Sequence, residues 1–185
     1  MMSKRSYKKS EKFLELAESI IPLGSQTFSK SRTQYPKGAS PLFIDRGDGS
    51  KVWDIDGNLY TDFVNSLLAV SIGYNYSPIN EAVIEQLSRG VTHTLPTKLE
   101  YEVSQLLVDI VPCADMVRFG KNGSDATSAA IRLARAFTGN DMVAMCGYHG
   151  WHDWYIGTTT KSLGVPDQVR ELGVSFPYND VPALE

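Results

Sequence analysis

Cysteine is scarce: the 185 residues contain two, Cys113 and Cys146. Neither has a close CxxC partner, which excludes a disulfide framework and a cysteine-rich zinc site. Buried thiols in a reducing compartment fit better, so a cytoplasmic protein is expected. Histidine is scarce too. His149, His152 and Asp153 lie close together, but a metal site wants further ligands at good geometry and His93 is remote in sequence, so no metal is expected. Charge of one sign is also lacking, with 18 basic against 21 acidic residues and a net charge of −3. That gives no bulk attraction for nucleic acid or anionic lipid, and neither is expected as a partner. The basic opening "MMSKRSYKK" has no apolar stretch behind it and reads as a solvated terminus, and no apolar run is long enough to span a membrane. Repeats and low-complexity linkers are missing as well. With 42% hydrophobic and 21% charged residues, the composition is that of a globular chain.

Helical periodicity appears first in "SEKFLELAESII", where Phe13, Leu14, Ala17, Ile20 and Ile21 recur at three- and four-residue intervals until Pro22 and Gly24 stop the helix. "PLFIDRGDGSKVWDIDGNLYTDF" then gives three short β-prone runs parted by the turn sequences "RGDGS" and "DGN", which predicts a small antiparallel meander. The tripeptide "RGD" sits in a turn and is read as a turn. "SPINEAVIEQLSRG" predicts a helix opened by Ser77 and Pro78 and closed at Gly90, and "TKLEYEVSQLLVDIV" one opened by a Thr97/Glu100 capping box. The runs "DMVRF" and "DMVAMC" flank a helix whose Ala126, Ala129, Ala130, Leu133, Ala134 and Phe137 line one side before Gly139. Strand, helix, strand predicts a βαβ unit with a parallel sheet.

Between the first run and that helix lies "RFGKNGSDAT", residues 118–127. A helix starting near Ser124 leaves its first amide groups without partners and carries positive partial charge, which favours an anion. Gly123 lets that backbone come close, and Ser124 and Thr127 add hydroxyls. The same loop can be read as a plain cap, with Asn122, Ser124 and Asp125 satisfying the helix start. A Walker loop and a GxGxxG run are both missing, since Lys121 is followed by Asn122 and precedes the glycine. One terminal phosphate therefore suits the loop better than a triphosphate or pyrophosphate. After the second run, "CGYHGWHDWY" crowds aromatic side chains between Gly147 and Gly150. This cluster is read either as structural packing or as a platform for a ring-shaped, phosphorylated cofactor stacked on Tyr148.

"NGSDATSAAIRLARAFTGND" followed after a strand by "GYHGWHD" resembles the class III, fold-type I aminotransferases that use pyridoxal phosphate, in particular the glutamate-1-semialdehyde aminomutase-like branch. "IIPLGSQTFSKS", the meander, "IGYNYSPINEAV", "LGVP" and "YNDVPALE" are similar to that family's N-terminal part in the same order. The resemblance implies an α/β fold: residues 1–75 as a helix and antiparallel meander of the small domain, then residues 76–185 as the first part of a large cofactor-binding domain with a mainly parallel sheet. It implies that Gly123 and Ser124 hold the cofactor phosphate with Asn122 beside them. Tyr148 would stack on the pyridine ring with His149 adjoining, and Asp125 stands where the family commonly has Glu. The family's Schiff-base lysine and its pyridine-pairing aspartate lie beyond the matched segment, and no lysine here suits that role, so no catalytic residue is assigned.

The expected function is movement of an amino group between a small amino compound and a carbonyl compound, by transfer or internal shift, in a homodimer. The chain itself is expected to be an N-terminal portion, inactive alone. The alternative is a noncatalytic remnant that retains the fold or a phosphate affinity. Thr27 and Lys30 stand roughly where the mutase branch has a Ser and an Arg for the substrate carboxylate. A lysine lacks the arginine fork, so strict glutamate-semialdehyde specificity is not expected, and another amine or amino-sugar-like carbonyl is an equal alternative as substrate.

Overall fold

The computed structural model describes residues 5–185, which form two units with the boundary between Thr94 and Leu95. In the first unit, helix α1 spans Lys8–Glu18. Its own flanking residue, Tyr7, supplies no side-chain cap. Asp56, on the turn of the meander, caps it instead: one carboxylate oxygen accepts from Lys9 N at 2.8 Å, the other from Ser10 N at 2.8 Å and Ser10 Oγ at 2.6 Å. Leu23 and Gly24 end the segment with positive φ, and a Cβ on Gly24 would lie 2.6 Å from Leu14 Cδ1.

Burial raises the Asp56 pKa, but the Ser10 hydroxyl, the two amides and the Lys9 charge outweigh it and hold the carboxyl below its ordinary 3.8. A depressed carboxyl contributes stability that is complete above its unfolded pKa and is lost as pH falls through the folded value. Asp56→Asn should therefore cost about 1 kcal/mol at neutral pH, the worth of one N-cap. The difference between variant and parent should shrink as pH falls below the ordinary carboxyl value of 3.8 and through the lowered folded one, as the carboxyl protonates. Urea midpoints measured across that range check both statements.

The expected meander forms: β1 (Ile44–Asp48), β2 (Lys51–Asp54) and β3 (Leu59–Thr61) pair antiparallel in that order. Gly49 and Gly57 take the positive φ that the two turns require. Arg46 of the "RGD" triplet lies over the Trp53 ring, 3.6 Å from its centroid. Beneath the sheet Val52 and Asp54 are buried. The turn α2 (Asn65–Leu68) is left-handed, with φ from 50 to 69°. Asp62 ties it down by accepting from Val64 N at 2.7 Å and from Tyr74 Oη at 2.5 Å. Helix α3 (Ser77–Arg89) follows. Ser77, expected as its cap, is its first helical residue and Tyr76 flanks it without a side-chain cap, while Gly90 closes it as expected.

The second unit opens with α4 (Lys98–Ile110), started by the predicted Thr97/Glu100 capping box. The run "DMVRF" forms no strand. A strand exists only through hydrogen bonds to a neighbour, and residues 115–119 have no ladder partner among the described residues. After α5 (Gly123–Thr138), strand β4 (Val143–Met145) pairs in parallel with β5 (Gly173–Ser175), so the parallel pair lies one step later in the chain than expected. The crossover carries the short helices α6 (Asp153–Ile156) and α7 (Asp167–Arg170), and α8 (Val181–Leu184) ends the described chain. Met145 and Tyr155 are buried here. Cys146 is half-buried, but Cys113, expected inside, is exposed. No helix among the described residues is long and apolar enough to cross a membrane.

Candidate functional site

Helix α5 begins with a reciprocal cap. Asn122 Oδ1 accepts from Asp125 N, and Asp125 Oδ2 accepts from Asn122 N and Lys121 N, each at 3.1 Å. The capping residues of the loop are thus engaged as caps, and Asp125 closes back on its own loop. They leave a gap that matters: in the first helical turn the Gly123 and Ser124 N–H groups have no acceptor among the described residues. A Cβ at Gly123 would meet nothing within 4 Å, so space is open beside the first of these donors, while Ser124 is buried. A sixteen-residue helix ends here at its positive pole, and backbone donors at such a pole suit an anion.

The inward face of α5 is not the predicted one. Leu133 and Phe137 of the alanine-rich face are exposed, Phe137 by 94%. Ser124, Thr127, Ser128, Ile131 and Arg135 are buried or half-buried instead. The cause is polar. Ser124 Oγ accepts from Trp151 N at 3.4 Å, Thr127 Oγ1 donates to His149 O at 3.0 Å, and Ser128 Oγ lies 2.7 Å from His152 Nδ1 and accepts from Trp154 Nε1 at 3.0 Å. Three hydroxyls on one helical face thus find their partners in one loop, residues 147–154. Sequence reading named Ser124 and Thr127 but not Ser128. The i, i+3, i+4 spacing of 124, 127 and 128 was the available signal.

Gly147 and Gly150 give the loop its shape, with φ of 84 and 115°. Gly150 packs so closely on α5 that an added Cβ would lie 2.5 Å from Ser124 Oγ. His149 Nε2 donates to Cys146 O at 2.8 Å, which fixes its proton, because a carbonyl only accepts. Tyr155 forms the hub of the rings: Tyr148 and His149 both meet it edge-on with centroids 5.5 Å away, and Trp154 lies at 5.9 Å. Tyr148 is 75% exposed, a flat ring presented at the surface one residue from the Thr127 contact. The structure thus brings Gly123, Ser124, Tyr148 and His149 to one helix start and the loop stapled to it. Asn122 is present through its cap.

In the first unit, Lys30, Tyr35, Phe43, Tyr60 and Tyr74 help line a cavity of about 660 Å³. Among the described residues no three His, Cys, Asp or Glu side chains converge as a metal site.

An α/β chain with a parallel pair and this loop–helix start has known relatives. The chain belongs to the aminotransferase class-III family, whose profile matches residues 34–183. It is 36% identical over its full length to a 3-aminobutyryl-CoA aminotransferase of Cloacimonas acidaminovorans (strain Evry). Over 97% of its length it is 37% identical to a glutamate-1-semialdehyde 2,1-aminomutase of Natranaerobius thermophilus. The chain spans 44% of the length of each of these curated relatives. Among solved structures, the FumI protein of Sphingopyxis sp. MTA144, in a PLP form, superposes with a TM-score of 0.87 at 33% identity, covering 96% of this chain and 42% of that one.

Proposed function

We propose that this chain supplies the phosphate cup and the ring-flanking loop of a pyridoxal-phosphate-dependent aminotransferase or aminomutase that moves an amino group between small amino and carbonyl compounds. The observation that carries the reading is the pair of open amides, Gly123 and Ser124 N–H, at the start of a helix whose next turn holds an exposed aromatic ring in place. The donor set fits the cofactor: backbone N–H groups at a helix start for a phosphate dianion, an uncovered glycine for close approach, and Tyr148 as a flat apolar face. When bound, pyridoxal phosphate supplies the electron sink for amino-group chemistry, while the protein contributes binding and orientation. Ser124, buried against Gly150, adds a hydroxyl beside the two amides, and His149 meets edge-on the same Tyr155 ring that Tyr148 meets. The substrate lies in the range that the two curated relatives span, from aminoacyl thioester to amino aldehyde. A homodimer is supported by the apolar side chains exposed along the helices, among them Ile79, Val83 and Leu87 of α3 and Leu99, Val103 and Leu106 of α4, faces that water does not favour. The balanced charge and paucity of cysteine support a cytoplasmic setting.

Gly123→Asp separates binding from folding. Space is open at that Cβ, and a carboxylate in the first turn favours the helix, so thermal stability should hold. Pyridoxal phosphate affinity, read by quenching of Trp151 and Trp154 fluorescence, should fall at least about tenfold from charge repulsion close to the phosphate. Pyridoxal, which lacks the phosphate, should be unaffected. Equal affinity of the parent chain for the two ligands would sink the reading.

A further inference from the structure

We propose that Ser128 is the positioning residue that fixes the aromatic loop on helix α5 and thereby sets the affinity for the ring end of the cofactor; this rests on the cofactor reading above. Three hydroxyls staple the loop, and their geometry ranks them. The Ser124 contact is long, at 3.4 Å. Thr127 has one proton for two acceptors, His149 O at 3.0 Å and its own helix's Ser124 O at 3.1 Å, so its hold on the loop is divided. Ser128 alone engages two side chains of the loop segment at short range, His152 Nδ1 at 2.7 Å and Trp154 Nε1 at 3.0 Å. An indole N–H only donates, so the hydroxyl accepts there, and its second partner is His152 Nδ1, with the imidazole tautomer setting which of the two donates. One hydroxyl thus partners both polar side chains, Trp154 Nε1 and His152 Nδ1.

The tie reaches the exposed ring through packing. Trp154 stacks on His149 with centroids 6.2 Å apart and an interplanar angle of 25°, and it meets Tyr155, which in turn supports Tyr148. Without the hydroxyl at 128, the Trp154 N–H must leave its half-buried place to find water. His149 and Tyr155 then lose their neighbour, and Tyr148 its support. The amides of Gly123 and Ser124 lie outside this chain of contacts, so the phosphate cup keeps its geometry.

The experiment compares Ser128→Ala, Ser128→Thr and Trp154→Phe in the 185-residue chain with two probes, pyridoxal phosphate and inorganic phosphate, the latter followed by the NMR shifts of the Gly123 and Ser124 amides. Ser128→Ala should weaken pyridoxal phosphate binding by roughly tenfold, the order of one net hydrogen bond left unmade, and leave inorganic phosphate unchanged. Ser128→Thr should restore binding to within about twofold, because the hydroxyl returns. Trp154→Phe should reproduce much of the loss, and combining it with Ser128→Ala should add less than the sum, because both remove the same bond. If the parent chain binds and Ser128→Ala binds equally well, the positioning role is wrong and the cofactor reading stands. If both probes weaken together, the effect is general damage and the role is again wrong. If the parent chain does not bind pyridoxal phosphate, the cofactor reading fails and this inference with it.

Discussion

Gly150→Ala is expected to cost roughly 2–4 kcal/mol, combining backbone strain with overpacking, and to abolish binding of pyridoxal phosphate. Two independent terms add at this position. Its φ of 115° lies where side chains are rarely tolerated. The new methyl would also stand 2.5 Å from Ser124 Oγ, 3.1 Å from its Cβ and 3.3 Å from its Cα. Ser124 cannot retreat, because it is buried and its backbone lies in the first turn of α5. The loop must lift, and in lifting it gives up the three hydroxyl contacts together. Gly123→Ala is the matched control, with nothing within 4 Å of the added carbon; a change within about 0.5 kcal/mol is expected there, as for other surface substitutions. Urea unfolding of both variants, with pyridoxal phosphate titrations alongside, makes the comparison. A Gly150→Ala protein as stable as the control would mean that the loop does not press on the helix as described.

Asp54→Ala should be the most damaging single change in the first unit. The carboxylate is 1% exposed and accepts from Asn58 N at 2.7 Å, Asn58 Nδ2 at 2.8 Å and Tyr60 Oη at 2.9 Å. Truncation leaves these donors facing a cavity. Each buried unsatisfied group costs about 1–3 kcal/mol, so a loss of roughly 3 kcal/mol or more is expected. Unfolding can be followed through Trp53, which neighbours Asp54 on β2.

A second readout is the phenol of Tyr60. Burial first, then hydrogen bonds with Tyr7 and Asp54 and the Asp54 charge, push its pKa far above the ordinary 10. The neutral phenol is thus stabilised by folding, a contribution complete below the unfolded pKa and lost as pH rises through the folded one. In Asp54→Ala the phenol should titrate nearer its ordinary value, visible in ultraviolet absorbance. A Tyr60 titration unmoved by the substitution, together with unchanged stability, would remove Asp54 from its place at the centre of the meander.

What the sequence shows and what it hides divide by range. Turn glycines 49 and 57, the Thr97/Glu100 box and the stops at Gly90 and Gly139 are local chemistry, and each stands where the pattern puts it. Strand status is not local: residues 115–119 and 141–146 have similar composition, yet only the second includes a strand, because Gly173–Ser175 lies alongside it. The inward face of α5 depends on partners 22 to 27 residues away, so its alanine stripe misleads. The left-handed turn at Asn65–Leu68 has no glycine to announce it. It rests on Asp62, whose carboxyl is raised by burial but held low overall by the Tyr74 hydroxyl and the amides of Val64, Asn65 and Ser66. At the candidate site the helix start at Gly123 and Ser124 was legible, because the capping residues beside it are local. For Ser128 the spacing to Ser124 and Thr127 marked the face, but its partner, the Trp154 indole 26 residues on, is not local information.

The cap of α1 gives the chain a schedule. Asp56 reaches back 46 residues to Ser10, so a ribosome adding about 5–20 residues per second leaves that helix start uncapped for roughly 2–9 s after Ser10 is joined. Through that interval an isolated helix of eleven residues is marginal in water. The first element in the chain thus settles only once the second turn of the meander has been made.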